Sequence, residues 1–469
     1  MSIDAAGLGV DGLSAAYADG ALSPVAVVQE CLELIDRLDP QLNAFVLVDG
    51  ERALADARAS QERWQRGEQV GPLDGIPATV KDLPDVTGWP TRKGSVHTDP
   101  TVLATQDSPV AARLHEAGCV LLGKTTLPEQ GWTGAGHSPL TGITRNPWDP
   151  ARTTGGSSAG AGAAAATGMG VLHVGTDGGG SIRMPSSFCG VVGLKPTLAI
   201  VPVHPPAGSG LLSHVGPMAR TARDAAWMMS AIAQPDVREV YPAMRDQRSW
   251  LEGIDDGVAG LRIAYAPVFP HAVVHPQVAA AVADTVRLLA DQGAHVDELD
   301  ISALGLPDCH DAFLTLWDAG VGRALADVPA DRLALSDPGL VATWERAQGI
   351  SALDYLAADR VRADATLALA ALLERYDVLV SPTMPEVAFT AGEALADPAT
   401  QQHWIDWTPF TYPINMTRNP AASVPVGLSA EGLPIGMQVV GRHYDDRLVL
   451  RVARTVESVN PPRKWALPT

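Results

Sequence analysis

One lysine and two segments rich in glycine and serine carry the groups from which this sequence could build an acyl-transfer site. The lysine is Lys81, and the segments span residues 155–160 and 175–183. Cleavage of an amide needs an activated nucleophile, a proton donor for the leaving nitrogen and donors that stabilise an oxyanion. Ser181 follows three glycines, whose backbone N–H groups can point into one concavity. These parts of the chain therefore favour nucleophilic catalysis by a serine.

Lys81 can act as a base only if its amine is unprotonated. The reference pKa of a lysine is about 10.4, and burial lowers it because burial disfavours the charged form. The neighbours Ile76, Val80 and Leu83 are apolar, whereas a nearby Asp82 carboxylate would oppose the shift. The local sequence therefore predicts a buried lysine with a lowered pKa.

A second nucleophile motif overlaps the first serine segment. Residues 156–160 match GxSxG, the nucleophile elbow of α/β-hydrolases, with Ser158 as the nucleophile. That elbow follows a strand, but residues 146–154 contain two prolines and no continuous apolar run. Asp377 and His403 follow in the chain order that a Ser-Asp-His triad would need. This alternative stays open at the level of sequence, as does a glycine-rich anion-binding protein without hydrolysis.

Neither a cofactor nor a metal ion is expected. Residues 7–12 match the dinucleotide fingerprint GxGxxG, but too few residues precede them to form the strand that the motif requires. His271 and His275 have the spacing of helical metal ligands, yet no HExxH motif accompanies them and Pro276 follows directly. A loop or a helix cap is the better interpretation of these histidines.

Helices and short apolar strands alternate along the chain. Ser23 and Pro24 are typical of a helix start, and apolar residues continue at helical spacing until Pro40, which is predicted to end the helix. The same patterns predict strands over 119–123, 261–266, 295–299 and 377–380 and helices over 276–292 and 351–375. Such alternation favours an α/β fold with a large mixed β-sheet covered by helices on both faces.

Taken together, the motifs resemble the amidase signature family, which are Ser-Ser-Lys hydrolases of amides and related acyl compounds. The 24-residue separation of Ser157 and Ser181 fits that pattern. The resemblance covers most of the chain and is weakest over about 235–370. It is carried by residues 75–82, 144–149, 155–160, 175–183, 188–197, 377–382 and 433–441. It implies the fold of this family, without a cofactor.

The resemblance assigns the catalytic roles. Neutral Lys81 would take a proton relayed from Ser181 through Ser157, and the relay would return it to the leaving amine. Water would then attack the acyl-Ser181 intermediate by the same route. The family holds the equivalent of Ser157 after a cis peptide bond, here Gly156–Ser157.

Further roles follow for residues around the triad. The expected oxyanion-hole donors are Gly178, Gly179, Gly180 and Ser181. The expected substrate-binding residues are Gly131, Trp132 and Thr133.

Asp177 and Arg183 are expected to form an ion pair that braces the nucleophile loop, and Phe313 and Trp317 are assigned to the core. We expect a mainly apolar acyl pocket without a cation. Relatives often carry a larger residue at the position of Gly178, so glycine there is expected either to loosen the oxyanion loop or to open space beside it.

The resemblance divides the chain within one domain, residues 1–469. The signature core is predicted at about 70–235, a more variable helical and substrate-binding region at about 235–370, and a return to the sheet at about 371–460. Family members include amidases acting on aryl, alkyl, cyclic and carbamate substrates. They also include the glutamine amidase subunit of tRNA-dependent amidotransferases, which is the main alternative function.

Charge and composition bear on partners and location. With 34 Lys+Arg against 53 Asp+Glu the net charge is −19, which disfavours binding to nucleic acid and to anionic membranes. This favours a free-standing enzyme acting on a small-molecule amide.

The four cysteines are widely separated, the first residues lack a basic secretory pattern, and the longest uncharged stretch, 159–176, is mainly alanine and glycine. We expect a cytoplasmic protein; a homo-oligomer is compatible with the sequence but not indicated by it.

Overall fold

A computed structural model describes residues 3–241, 243–244 and 247–461. Among these residues, eleven strands form one mixed sheet, and two short strands, β4 and β5, form a separate hairpin. The strands are β1 (Phe45–Val48), β2 (Pro77–Lys81), β3 (Val120–Thr125), β4 (His137–Ser138), β5 (Gly142–Ile143), β6 (Leu172–Asp177), β7 (Val192–Lys195), β8 (His214–Ala219), β9 (Arg262–Tyr265), β10 (His295–Glu298), β11 (Val378–Pro382), β12 (Ala421–Leu428) and β13 (Pro434–Gly441).

Fifteen α-helices accompany these strands in the described part of the chain. They are α1 (Ala5–Ala18), α2 (Pro24–Leu42), α3 (Gly50–Arg66), α4 (Pro109–Glu116), α5 (Ala159–Thr167), α6 (Arg183–Cys189), α7 (Ala222–Ile232), α8 (Pro276–Asp291), α9 (Ile301–Leu304), α10 (His310–Leu325), α11 (Ala330–Leu333), α12 (Pro338–Ala347), α13 (Ala352–Arg375), α14 (Tyr412–Thr417) and α15 (Asp446–Val459). Short 3₁₀ helices lie at Glu129–Gly131, Gly210–Leu212 and Trp404–Trp407. No helix of the described ranges is long and apolar enough to cross a bilayer.

The strand order of the large sheet is β1-β3-β2-β6-β8-β7-β12-β13-β11-β9-β10. Strands β3, β2 and β6 are parallel to one another, and so are β11, β9 and β10. The pairings between β6 and β11, through β8, β7, β12 and β13, are antiparallel, as is that of β1 with β3. Strands from both halves of the chain thus meet in one mixed sheet.

Both faces of this sheet are buried. Val378 and Val380 of β11 belong to one hydrophobic cluster, while Leu379 between them belongs to another. Successive side chains of a strand point to opposite faces, so these two clusters lie on the two sides of the sheet. Helices α2, α7, α8 and α15 contribute to the first cluster, and α13 and α14 contribute to the second. The predicted α/β fold with a large covered mixed sheet is confirmed.

The predicted helix starting at Ser23 and Pro24 is α2, and the Ser23 hydroxyl caps its first turn. The prediction that Pro40 ends this helix is wrong, because the helix continues to Leu42. A proline lacks only its own N–H, so a helix can tolerate one in its last turn. The chain leaves the helix at Asn43, which has a left-handed φ of 53°, a conformation that asparagine tolerates well. The other predicted helices and strands correspond to β3, α8, β9, β10, α13 and β11 within a few residues.

Candidate active site

The topology of the sheet brings the predicted catalytic segments to one edge. Lys81 is the last residue of β2, and the segment from Asp177 to Ser181 follows the adjacent parallel strand β6. Val80 pairs with Val174, so Lys81 is level with Gly175, and β6 continues two residues further to Asp177. Ser157 lies in the loop that leads into α5. Parallel strands place their carboxyl ends at one edge, which is where α/β sheets commonly bind ligands.

Lys81 is completely buried and hydrogen-bonds to three hydroxyl groups. Its Nζ lies 2.7 Å from Ser157 Oγ, 3.1 Å from Ser158 Oγ and 2.8 Å from Thr176 Oγ1. Burial lowers the pKa of Lys81 well below its usual value, although the negative charge of Asp177 opposes the shift. The predicted buried lysine with a lowered pKa is therefore present.

A neutral Lys81 imposes a direction on this hydrogen-bond network. A neutral amine has two N–H donors and one lone pair, so one of its three hydroxyl partners must donate to nitrogen. Ser158 Oγ donates to the Thr176 carbonyl and accepts from the Thr176 amide, so its proton is already used. The donor to Lys81 is therefore Ser157 or Thr176, and Ser157 is the closer of the two.

Ser158 does not have the surroundings of a nucleophile elbow. Its side chain is fully buried, and its hydroxyl is held by Lys81 and by the backbone of Thr176. The proposed triad partners are engaged elsewhere: Asp377 accepts from the Arg262 amide, and His403 caps a short 3₁₀ helix. The structure therefore contradicts the GxSxG alternative.

The loop that carries Ser181 is connected to the loop that carries Ser157. The Ser158 amide donates to the Ser181 carbonyl at 3.1 Å, and the Gly156–Ser157 peptide bond is cis, as the resemblance implied. Both serine side chains, Ser157 and Ser181, are 2% exposed and line the same cavity. The two hydroxyl groups thus open onto one buried space.

One of the four expected oxyanion donors is not available. The Gly180 amide donates to Asp177 Oδ1 at 2.7 Å, because the loop turns back towards that carboxylate. The expectation for Gly180 is therefore corrected. The amides of Gly178, Gly179 and Ser181 remain as candidate donors.

The predicted ion pair between Asp177 and Arg183 is confirmed and entirely buried. Nε of Arg183 lies 3.0 Å from Oδ2, and Nη2 lies 3.0 Å from Oδ1. Burial alone would raise the pKa of Asp177, but the Arg183 guanidinium holds it well below its usual value. Arg183 also donates to Asn415 and Gln438. The pair therefore fastens the nucleophile loop to α14 and β13.

The cavity beside the two serines has a volume of about 240 Å³. Gly131 and Trp132 contribute to its wall as predicted, but Thr133 does not, because its hydroxyl turns back to accept from the Ala135 amide. The lining residues are Leu83, Pro84, Lys93, Ser108, Pro109, Val110, Gln130, Gly131, Trp132, Ser157, Thr176, Gly178, Ser181, Pro202, Val203, His204, Pro205, Pro206, Ala207, Gly208, Ser209, Ser213, His214, Val215, Trp317, Gly320, Val321, Ala324 and Leu325. The wall is mainly apolar, but the expectation that it lacks a cation is wrong, because it includes Lys93.

Trp317 has a different position from the one that the sequence suggested. Phe313 is a core residue, but Trp317 lies in the wall of the cavity. A Cβ added to Gly178 would lie 2.7 Å from the Trp317 ring, so the expected open space beside Gly178 is filled by indole. Nε1 of Trp317 donates to the Trp132 carbonyl at 3.1 Å.

Besides Lys93 in the cavity wall, sequence reasoning missed four residues that bind the catalytic segments. Thr176 binds Lys81, and Thr411 Oγ1 donates to the Gly179 carbonyl at 2.8 Å. Asn415 donates to Asp177, and Gln438 accepts from Arg183. Thr176 lies within a recognised motif and was identifiable, whereas no local pattern marks the other three. The side chain of His275 caps α8 and His271 lies in the loop before that helix, as predicted for these two histidines.

The chain is similar in sequence and in fold to known proteins. The Amidase family model matches residues 26–450. An acylamidase of Rhodococcus erythropolis is 36% identical over 461 residues, which cover 97% of this chain and 95% of that protein. The A subunit of the glutamyl-tRNA(Gln) amidotransferase of Gloeobacter violaceus is 34% identical over 459 residues, 93% of each chain. The crystal structure of a bacterial aryl acylamidase of the amidase signature family has a TM-score of 0.89 and 28% identity, covering 97% of each chain.

The chain belongs to the amidase family. It is an amidase-signature hydrolase that acts on carbon–nitrogen bonds other than peptide bonds. The predicted family, fold and enzyme class are thereby confirmed.

Proposed function

We propose that this chain hydrolyses small-molecule amides through an acyl-Ser181 intermediate, with Ser157 as the proton relay and Lys81 as the base. One observation carries the assignment. The buried Lys81 Nζ contacts Ser157 Oγ at 2.7 Å and three hydroxyl groups in all, without a carboxylate partner among the described residues. A lysine in such surroundings is held neutral and can accept a proton.

Each proton in the reaction has a defined path. Ser157 donates its proton to Lys81 and takes the proton of Ser181 as Oγ of Ser181 attacks the carbonyl carbon. The developing oxyanion accepts from the amides of Gly178, Gly179 and Ser181. The relay then returns a proton to the leaving amine as the carbon–nitrogen bond breaks. Water attacks the acyl-enzyme by the same route and releases the acid.

The lining of the cavity favours a free-standing amidase. No Asp or Glu occurs among the described residues of the wall, so the α-ammonium group of free glutamine would find no carboxylate there. Desolvating an unpaired charge is unfavourable. Linear amides with aryl or alkyl groups are therefore the proposed substrates, and anilides, esters or carbamates are further candidates. The net charge of −19 supports an enzyme that binds neither nucleic acid nor an anionic membrane, and we propose a cytoplasmic location.

The second candidate is the glutamine amidase subunit of a tRNA-dependent amidotransferase. The relative from Gloeobacter violaceus, which is named as part of such an enzyme, supports it because it matches 93% of this chain. That function would require turnover of glutamine together with a partner subunit.

We also propose that residues 1–469 act as one domain, with the signature core at about 70–235. The sheet supports this division. Strands β2, β3, β6, β7 and β8 come from the core, and β11, β12 and β13 come from the predicted C-terminal return. Within about 235–370 the described chain is mainly helices and loops, with β9 and β10 as its two strands.

A hydrolysis panel on the purified chain alone tests the proposed function. The panel contains glutamine, small aliphatic amides, anilides, esters and carbamates, and Ser181→Ala is the inactive control. We expect turnover of uncharged aryl or alkyl amides to exceed that of glutamine. Strong glutaminase activity with negligible anilide turnover would favour the amidotransferase function instead.

A covalent probe tests the nucleophile separately. A serine-directed phosphonylating reagent should label Ser181, and peptide mapping locates the adduct. A stable adduct on Ser158 would contradict the assignment.

A further inference from the structure

The wall of the cavity includes one basic side chain of the lysine or arginine type among its described residues. Among the described residues of its wall, Lys93 is the only lysine, arginine, aspartate or glutamate. Of the two wall histidines, His214 is fully buried, and burial lowers its pKa well below the usual value. Lys93 therefore contributes the one lysine among the described residues of a wall that is otherwise mainly apolar.

The backbone holds Lys93 in a fixed place on this wall. Its φ of 53° is left-handed, which is uncommon for a residue other than glycine. Its carbonyl accepts from the Gln130 amide at 2.7 Å. Gly131 follows Gln130 in the same loop and lies close to Ser157, since a Cβ added to this glycine would be 3.2 Å from Ser157 Oγ. Lys93 is therefore attached to the loop that adjoins the proposed relay serine.

Lys93 has no counter-ion in the described part of the chain. Its Nζ forms neither an ion pair nor a hydrogen bond with a described residue. Asp82, which accepts a hydrogen bond from the Lys93 backbone amide, lies 2.9 Å from Lys124 Nζ. Since Lys124 neutralises this carboxylate, Lys93 is left without a counter-ion among the described residues.

We propose that Lys93 binds an anionic group of the substrate, so that the preferred substrates are amides with an apolar body and one carboxylate. The inference rests on the proposed function and narrows its substrate class. A partly buried ammonium group without a partner loses hydration, and a carboxylate restores a charge-assisted hydrogen bond. The absence of an acid among the described wall residues disfavours zwitterionic amino acid amides, which carry an ammonium group as well.

Two substrate pairs distinguish where the carboxylate sits. In 4-acetamidobenzoate the charge is on the amine part, and 4-nitroacetanilide is its uncharged counterpart of similar shape. In succinanilate the charge is on the acyl part, and butyranilide is its uncharged counterpart. The kcat and KM of each compound are compared between wild type and Lys93→Met, so that intrinsic differences in leaving groups cancel.

We expect Lys93→Met to lower kcat/KM for one of the anionic substrates, relative to its uncharged counterpart, by about tenfold, which is equivalent to about 1.4 kcal/mol. The loss should lie mainly in KM, because the carboxylate is bound equally in the ground state and the transition state. Lys93→Arg should keep the preference, and Lys93→Glu should reduce it further. Arg323→Met removes the same charge from an exposed side chain of α10 and should leave the ratio unchanged.

A binding measurement separates this inference from the proposed catalytic function. Calorimetry on the Ser181→Ala protein measures binding of 4-acetamidobenzoate and of succinanilate without turnover, and adding Lys93→Met should weaken one of them about tenfold. Thermal melting confirms that each variant is folded. Anion binding that Lys93→Met leaves unchanged, or no anion binding in the folded Ser181→Ala protein, overturns the inference. Failure of wild type to hydrolyse any amide would instead overturn the proposed function.

Discussion

Replacing Lys81 by methionine separates its proposed chemistry from its packing. Methionine keeps an unbranched apolar stem of similar length in a site that is completely buried. The change removes the hydrogen bonds to Ser157, Ser158 and Thr176, each worth about 1 kcal/mol. Loss of these bonds is offset in part because a buried amine no longer has to be desolvated. The free energy of unfolding should therefore fall by about 1–3 kcal/mol, which leaves a folded protein.

The loss of activity should be much larger than the loss of stability. A general acid–base group typically contributes about 10²–10⁴-fold in rate, and Lys81 is proposed to act both when the nucleophile forms and when the amine leaves. We expect kcat/KM for an anilide to fall about 10⁴-fold, or about 5.4 kcal/mol of transition-state stabilisation. An activated ester with the same acyl group should lose only about 10²-fold, because its leaving group needs no proton.

The assay compares an anilide and a 4-nitrophenyl ester of one acid, with circular dichroism and thermal melting as controls for folding. Anilide turnover by a folded Lys81→Met protein within about tenfold of wild type would refute the Ser-Ser-Lys reasoning. Equal losses on the amide and the ester would refute the role of the lysine in protonating the leaving nitrogen.

The lowered pKa of Lys81 also gives a pH dependence. As the pH falls through the pKa of Lys81, the amine of the free enzyme takes up a proton and kcat/KM should decline. Because the pKa is lowered, this decline should occur below the reference value of about 10.4. The unfolded chain binds this proton more readily than the folded one, so the free energy of unfolding should also fall as the pH drops from about 10.4 towards the folded pKa. Burial lowers the pKa of Lys195 to about 7 as well. Either lysine could therefore cause the decline of kcat/KM at low pH. If Lys81 causes it, the decline should be absent from the pH profile of ester hydrolysis by the Lys81→Met protein.

Three further substitutions probe the surroundings of the triad. In anilide hydrolysis, Ser158→Ala should keep about a tenth or more of the activity, whereas Ser157→Ala should lose about 10³-fold because it breaks the proton relay. Gly178→Val places a side chain 2.7 Å from the Trp317 ring and should lower the unfolding free energy by about 1–3 kcal/mol, measured by urea denaturation, together with kcat. Arg183→Met leaves a buried carboxylate unpaired and should lower the unfolding free energy by about 3–5 kcal/mol in the same assay.

Each of these expectations has a contrary outcome. Equal and complete losses in Ser158→Ala and Ser157→Ala would remove the distinction between the two hydroxyl groups. Wild-type stability and kcat in Gly178→Val would show that Trp317 does not restrict the oxyanion loop. An Arg183→Met protein as stable as wild type would show that the ion pair does not brace this loop.

The sequence was sufficient to predict the groups that lie within continuous motifs. Lys81, Ser157 and Ser181 each occur in a segment whose local pattern sets its conformation, and β2 and β6 are adjacent parallel strands. The helix and strand boundaries were predicted within a few residues, except that Pro40 was given too strong an effect. The helical spacing of Phe313 and Trp317 indicated one shared face but did not distinguish the core from the cavity wall, where Trp317 lies.

The remainder of the site depends on tertiary contacts that no local pattern records. Asn415 and Gln438 reach Arg183 from residues more than 200 positions away. The engagement of the Gly180 amide depends on the turn of one loop towards Asp177. Lys93, which lies in the wall of the cavity, has a left-handed backbone conformation. A lysine in a loop gives no sequence signal for that conformation.

The pairing of Gly178 with Trp317 connects substrate recognition to oxyanion stabilisation. Any side chain at position 178 would occupy the space that the indole fills, since a Cβ there would lie 2.7 Å from the ring. The same indole holds the Trp132 carbonyl through Nε1, and the aromatic rings of Trp404 and Phe313 would lie 2.7 and 2.9 Å from a Cβ at Gly179. The backbone amides proposed to bind the oxyanion are therefore packed directly against helix α10, in the region where the family resemblance is weakest. Glycine at 178 is consequently a requirement of this particular cavity wall rather than a loosening of the catalytic loop.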